Sequence, residues 1–283
     1  TTAYFSLLRN LDRSKCEYYV SFRSPSIKED PERLNGVPEG YHYYPLATEM
    51  NLDILTGIAQ LCYLKWGITS FGIRNRLQKA YKREWKKHFG FAAFDHVVHF
   101  DGYENYMLAL FEQAPCIRTV WVHNDMEKEI ASKHNPSRPL LAHAYRTYDH
   151  VVPVGEDIRP AVERIGGYPD NIQVIANYMD VDNIRQRASM PVDFDPETQS
   201  TVSLETLRNI LSSSERKFIN IGRYSPEKGH KRLLKAFDRF WKNHQDTWLI
   251  IIGGMGTLYE STCELARTLS CSDHVILLKS MSN

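Results

Sequence analysis

The chain has 283 residues, enough for about two domains of ordinary size, and its 42% hydrophobic and 24% charged content supplies material for packed cores. A formal net charge of +1 provides no global field for nucleic acid, so any anion binding must be local. The five cysteines (Cys16, Cys62, Cys116, Cys263 and Cys271) are scattered without a CxxC pair, which favours reduced thiols in a cytoplasmic protein over a disulfide framework or zinc site.

No run approaches the roughly 18 apolar residues of a membrane span, and no charged-then-apolar leader opens the sequence. The chain begins inside an amphipathic pattern, with Tyr4, Phe5, Leu7, Leu8 and Leu11 on one helical face. Strands are expected near 17–22, 96–100, 119–122, 150–154 and 173–176. Helices are expected near 52–64, 74–87, 103–112, 126–133, 139–145 and 157–165. This alternation predicts parallel sheets with crossover helices.

A polar stretch over 182–214, with Pro191, Pro196 and the serines Ser212, Ser213 and Ser214, reads as a linker or insert carrying a short helix over 204–211. The pattern then restarts: strand 218–221, helix 230–242, strand 248–252, helix 258–269 and strand 275–278. That βαβαβ run is half of a doubly wound nucleotide-binding sheet. The expected organisation is a first α/β domain over 1–181, the linker over 182–214, and an incomplete second α/β domain over 215–283. Starting in a helix and stopping just past a strand, the sequence reads as a piece cut at both ends.

The strongest local signal is Gly222-Arg223-Tyr224-Ser225-Pro226-Glu227-Lys228-Gly229, between a strand and a helix. Ser225 before Pro226 reads as an N-cap followed by proline at the first helical position. A helix N-terminus attracts anions. Arg223 has the fork for two diphosphate oxygens, and Lys228 adds a point charge. An ordinary strand-to-helix turn with two solvated cations explains the same residues equally well. The next strand ends in Gly253-Gly254-Met255-Gly256, where glycines admit either a ligand or a tight turn.

Asp101 and Tyr103 follow a strand of the first domain, His123 another, and Asn177 a third, so parallel topology gathers them on one rim. Each has a structural alternative. Asn124 with Glu127 fits a capping box, and a histidine ending a strand serves packing as readily as catalysis. The remaining histidines show no metal spacing, and there is no GxSxG elbow or Walker loop.

Residues 220–229, followed by Leu233, Leu234 and Phe237, resemble the donor-site motif of the family-4 glycosyltransferases, retaining enzymes of the GT-B fold with two Rossmann-like domains. Ile250-Ile251-Ile252-Gly253-Gly254-Met255-Gly256 is similar to their second donor loop. Val120-Trp121-Val122-His123-Asn124-Asp125 resembles their first-domain histidine segment, and Ile175-Ala176-Asn177-Tyr178-Met179-Asp180 their entry to the interdomain linker.

The resemblance implies a nucleotide-diphosphate sugar, such as a UDP-sugar, as donor. Arg223 and Lys228 would hold the diphosphate, with Gly222, Gly253, Gly254 and Gly256 shaping the donor loops. His123 would contact the donor sugar, and Asp101, Tyr103 and Asn177 would stand on the acceptor side. Two cations take the place of a divalent metal, so no metal or other cofactor is expected. The family's first Gly-rich loop and its later acidic pair are absent here, so the enzyme is expected in a longer parent and this piece to be inactive.

Residues 65–87 hold Lys65, Arg74, Arg76, Lys79, Lys82, Arg83, Lys86 and Lys87 against Glu84 alone, interleaved with Trp66, Phe71, Tyr81 and Trp85. That composition suits an anionic membrane surface, at the inner face, or an anionic polymer; it equally suits a solvated helix face. The acceptor expected is a cell-wall or capsule polysaccharide, or one that is teichoic-acid-like or lipid-linked. A glycerol- or polyol-phosphate transferase and a nucleotide-sugar-binding protein without turnover are the alternative readings; nucleic acid is not an expected partner.

Overall fold

Alternation of strand and helix is realised in two units, Thr1–Val181 and Asp182–Asn283. The computed structural model describes residues 2–22, 37–44, 52–68, 70–133, 137–192, 194, 198–254 and 256–279; Met255 and Pro196 lie outside them. In the first unit, α1 (Thr2–Asn10) buries Ser6 and Leu8. The strand expected over 17–22 shortens to β1 (Tyr19–Val20), paired in parallel with β2 (His42–Tyr43). A helical hairpin follows, α2 (Ile54–Trp66) and α3 (Phe71–Phe89). Its turn carries Gly67 in the left-handed region (φ 64), where it ends α2 and leaves room for the Pro139 ring.

Next come β3 (His96–His99), α4 (Asn105–Phe111), β4 (Ile117–Val122), α5 (Met126–Lys133), α6 (Arg138–Thr147), β5 (His150–Pro153) and α7 (Arg159–Gly166). The strands form a parallel sheet in the order β3-β4-β5. Parallel strands need apolar cover. Val120, Val122 and Val151 join Leu108 and Leu110 of α4, Leu141 and Tyr145 of α6, and Val162 of α7 in one core.

The strand expected over 173–176 does not form as a regular element. The chain runs beside β5, with Gln173 N–H donating to the Val151 carbonyl (3.0 Å) and Ile175 N–H to that of Pro153 (3.1 Å). Pro153 has no N–H to return, so the ladder stops at the single bridge between Val151 and Ile172. The polar start of 182–214 is helical, as α8 (Val181–Ala188), with no buried side chain.

In the second unit, β6 (Gln199–Ser200) and α9 (Leu204–Ser212) precede β7 (Arg216–Ile221), α10 (His230–Trp241), β8 (Thr247–Gly253), α11 (Tyr259–Arg267) and β9 (Val275–Lys279). Sheet order is β6-β9-β8-β7, parallel except for antiparallel β6. Side chains alternate across the sheet. Leu249, Ile251, Val275 and Leu277 meet Leu234 and Phe237 of α10 and Cys263 and Ala266 of α11. Ile250, Ile276 and Leu278 meet Phe194 and Leu207 and Ile210 of α9. Half of the expected linker is therefore structural. Its β6 extends the sheet and its α9 covers the face that α10 and α11 leave open, because a parallel sheet must be covered on both sides.

Candidate functional site

In the second unit the ladder continues one residue past β7, with Gly222 N–H donating to the Ile252 carbonyl (2.9 Å). The chain then turns so that Tyr224 points inward, wholly buried. Its hydroxyl lies 3.1 Å from the Ile251 carbonyl and 2.9 Å from that of Leu278, able to donate to either. Its ring packs edge-on to Tyr259 (4.9 Å) and against His230 (5.1 Å). Burial pushes its phenol pKa up. With the ring anchored, the flanking cations face outward: Arg223 and Lys228 are both exposed.

Ser225 does not cap the long helix. Its hydroxyl donates to Glu227 (2.6 Å), and Pro226–Lys228 forms a single 3-10 turn before Gly229 (φ 68) leads into α10. The helix's positive end therefore lies at His230, beyond Lys228 rather than before it. Glu227 also accepts from Arg223 (3.2 Å), and the Ser225 hydroxyl, ahead of Arg223 and Lys228, holds its carboxyl below the usual range. This exposed pair is worth little in stability. The Lys228 stem lies across Gly222, where a Cβ would be 3.2 Å from its Cδ.

The glycines after β8 divide by role. A Cβ on Gly253 would stand 2.5 Å from the Gly222 carbonyl oxygen and 2.6 Å from the Tyr224 ring. One on Gly256 (φ 149) would stand 2.2 Å from the Tyr224 carbonyl oxygen. Both therefore let the two loops pack on each other. Gly254 is different, with nothing within 4 Å of an added Cβ, and leaves open space at the sheet's carboxyl edge. His230, the first residue of α10, is buried, and neither ring nitrogen has a hydrogen-bond partner. Burial, then Lys228, pushes its pKa down, so the ring is neutral at pH 7. In the sequence the buried roles of Tyr224 and His230 carry no signal beyond an aromatic residue standing amid polar loop residues.

In the first unit, His123 directly follows β4, half-buried against Phe100 (4.6 Å) and Trp121 (6.2 Å). Its Nδ1 faces the Asn177 amide at 3.4 Å, while Nε2 is buried without a hydrogen bond. Burial pushes its pKa down, opposed by the Phe100 carbonyl and Asp101, so this ring too is neutral at pH 7. Asp101 and Tyr103 are exposed on the loop after β3. Gly102 between them (φ 73) touches the Trp121 carbonyl so closely that a Cβ would fall 1.6 Å from it. Thus His123 and Asn177 are in contact, with Asp101 near enough to oppose the histidine's shift.

Asn124 does not cap α5; Asp125 does, accepting from Glu127 N–H (3.1 Å) and Lys128 N–H (3.3 Å). Glu127 instead binds Arg164 (2.6 Å). Among the described residues no three His, Cys, Asp or Glu side chains converge to hold a metal, and no helix is long and apolar enough to cross a membrane.

Residues 205–283, which include both loops of the second unit, match the family described as Glycosyl transferases group 1. Over 132 residues the chain is 28% identical to the serotype-specific mannosyltransferase WbdA of Escherichia coli, covering 45% of this chain and 15% of the relative. Over 167 residues it is 24% identical to an uncharacterized glycosyltransferase of Methanocaldococcus jannaschii, covering 58% of this chain and 38% of the relative. The matched segments thus span well under half of either relative's length.

Among solved structures, Anabaena HepE in complex with UDP superposes with a TM-score of 0.58 at 14% identity, over 98% of this chain and 64% of that one. A UDP-forming trehalose-phosphate synthase of Burkholderia xenovorans gives 0.56 at 14% identity, over 94% and 73%. At such identities the likeness shows the fold alone, an α/β architecture of the GT-B type, as the sequence resemblance implied.

Proposed function

We propose that this chain carries the donor-diphosphate site of a retaining hexosyltransferase that uses a nucleotide sugar. The observation that supports it most is the loop after β7: two exposed cations, Arg223 and Lys228, flank a tyrosine wholly buried beneath them. Negative charge develops on the leaving diphosphate as the glycosidic bond breaks. Cations already fixed in place stabilise that charge without reorganising, and a guanidinium presents two parallel N–H groups to it. In this reading the pair takes over the work of a divalent metal, and no cofactor is required. A UDP- or mannosyl-type donor is the first to test, since HepE is bound to UDP and WbdA is a mannosyltransferase. The acceptor in this reading is a polysaccharide or a lipid-linked chain, and five free cysteines fit a reducing cytoplasmic setting.

Calorimetry with UDP and other nucleoside diphosphates tests the assignment. Charge-assisted hydrogen bonds contribute about 1.5–3 kcal/mol each. Arg223→Ala with Lys228→Ala should therefore weaken binding by at least about a hundredfold without lowering the melting temperature. Unchanged affinity in the double variant refutes the site. For His123 the proposed role is a contact with the donor sugar. His123→Ala should then lower transfer or donor hydrolysis while nucleoside diphosphate affinity holds. Tight binding of nucleotide sugar with neither transfer nor hydrolysis favours a binding protein over an enzyme.

A further inference from the structure

The α2–α3 hairpin holds a surface that neither the fold nor the proposed site uses. Helix α2 is apolar on two opposite sides. Thr56 and Ala59 face inward and are buried, yet Ile54, Ile58 and Leu61, spaced one helical turn apart, face outward. Ile54 is 82% exposed, and at the other end of α2 and in the turn Trp66 (58%), Ile68 and, opening α3, Phe71 (83%) are exposed as well. Single exposed apolar residues need no explanation, but an aligned row of this size does. A helix that is apolar all round normally lies in a core or against lipid.

The neighbouring helix supplies the charge. Helix α3 buries Leu77, Ala80, Tyr81, Trp85 and Phe89 and presents Lys79, Lys82 and Lys86 along its solvent side, with Arg83 and Lys87 beside them. Among the described residues of the hairpin and its cap the acids are only two. Asp53 is held by Arg76 (2.8 Å) and by the Thr56 N–H (3.0 Å), and Glu84 is buried near Lys87 and His88 (3.6 Å each). The outward charge is therefore positive. The hairpin is also stiff, tied by Gln60 to the Tyr81 hydroxyl (2.8 Å), by Arg76 to Thr56 (2.9 Å) and by the Gly67 cap.

We propose that this hairpin docks the protein on an anionic lipid surface, with Ile54, Ile58, Leu61, Trp66 and Phe71 entering the headgroup–acyl boundary and the α3 lysines meeting the phosphates. An apolar row and a cationic helix face carried on one hairpin are the composition that binds such an interface, and an aromatic such as Trp66 sits best at that depth. A soluble polyanion needs the lysines but has no use for the apolar row. A protein partner would need an acidic rim around an apolar groove to match both.

The test is co-sedimentation of the full chain with phosphatidylcholine vesicles with and without phosphatidylglycerol, without donor, so that it is read independently of sugar transfer. Binding should require phosphatidylglycerol, weaken with salt and shift Trp66 emission to the blue, a change lost in Trp66→Phe. The triple variant Lys79→Gln, Lys82→Gln, Lys86→Gln should lose on the order of a hundredfold, at about fivefold per cation near the surface. Ile54→Ser with Phe71→Ser should lose about tenfold or more with an unchanged melt, since both side chains are exposed. Three results overturn the proposal. One is no preference for anionic vesicles. Another is full binding, or equal binding of a soluble anionic polysaccharide, by the Ile54→Ser, Phe71→Ser variant. The third is an oligomer that this variant turns into a monomer in a protein that ignores vesicles, which would make the face a contact between copies.

Discussion

Replacing Gly253 by alanine separates the packing role of the β8 loop from any ligand role. The new Cβ would lie 2.5 Å from the Gly222 carbonyl oxygen and 2.6 and 2.8 Å from Tyr224 ring carbons. None of these neighbours yields easily. The carbonyl is main chain, and the ring is wholly buried with its hydroxyl held between the Ile251 and Leu278 carbonyls. Overpacking a site of this kind costs about 1–3 kcal/mol. At about 4–8 °C per kcal/mol for a unit of roughly 100 residues, melting of the second unit should fall by roughly 4–24 °C. Displacing Gly222 and Tyr224 also moves Arg223 and Lys228, so UDP affinity should drop about tenfold or more, or ~1.4 kcal/mol. Gly254→Ala is the control: with nothing within 4 Å of its Cβ it should melt within about 1 kcal/mol of wild type. Circular dichroism melts and calorimetry with UDP read both variants. Wild-type melting of Gly253→Ala, or equal damage from Gly254→Ala, refutes the packing of these loops on Tyr224.

Burial is the leading cause that lowers the pKa values of His88, His96, His123 and His230 from 6.5. Each is depressed in the folded state, so the unfolded chain takes up protons first as pH falls. The stability they contribute is present above about 6.5 and is lost as pH drops through their folded values. Melting temperature should therefore fall on acidification below that point, and His230→Phe should flatten the slope; an unchanged slope refutes its share. Asp125→Ala should cost about 1 kcal/mol by uncapping α5, whereas Asn124→Ala should melt like wild type; the reverse order in thermal melts would restore the capping box expected at Asn124.

Local pattern was enough to place most strands and helices, because periodicity reports which residues share a face. The run Ile250-Ile251-Ile252 falls in a strand expected over 248–252, and it lies between α9 on one face and α10 and α11 on the other. Parallel connections also put Arg223, Lys228 and Gly254 at one sheet edge, since every β-to-α turn of a parallel sheet leaves from the same end. Three-dimensional packing decided the rest. Whether a glycine admits a ligand or a neighbouring ring depends on what lies opposite, and for Gly253 and Gly256 that is Tyr224. Ser225 lost its expected cap to Glu227, and Asn124 lost its own to Asp125, because several side chains in one turn compete for the same few amides. The strand expected over 173–176 failed on a donor missing from its neighbour, Pro153. Most plainly, the spacing of Ile54, Ile58 and Leu61 shows that they share a face of α2, but only the packing of α2 on α3 through Thr56 and Ala59 shows that this face is turned away from the core.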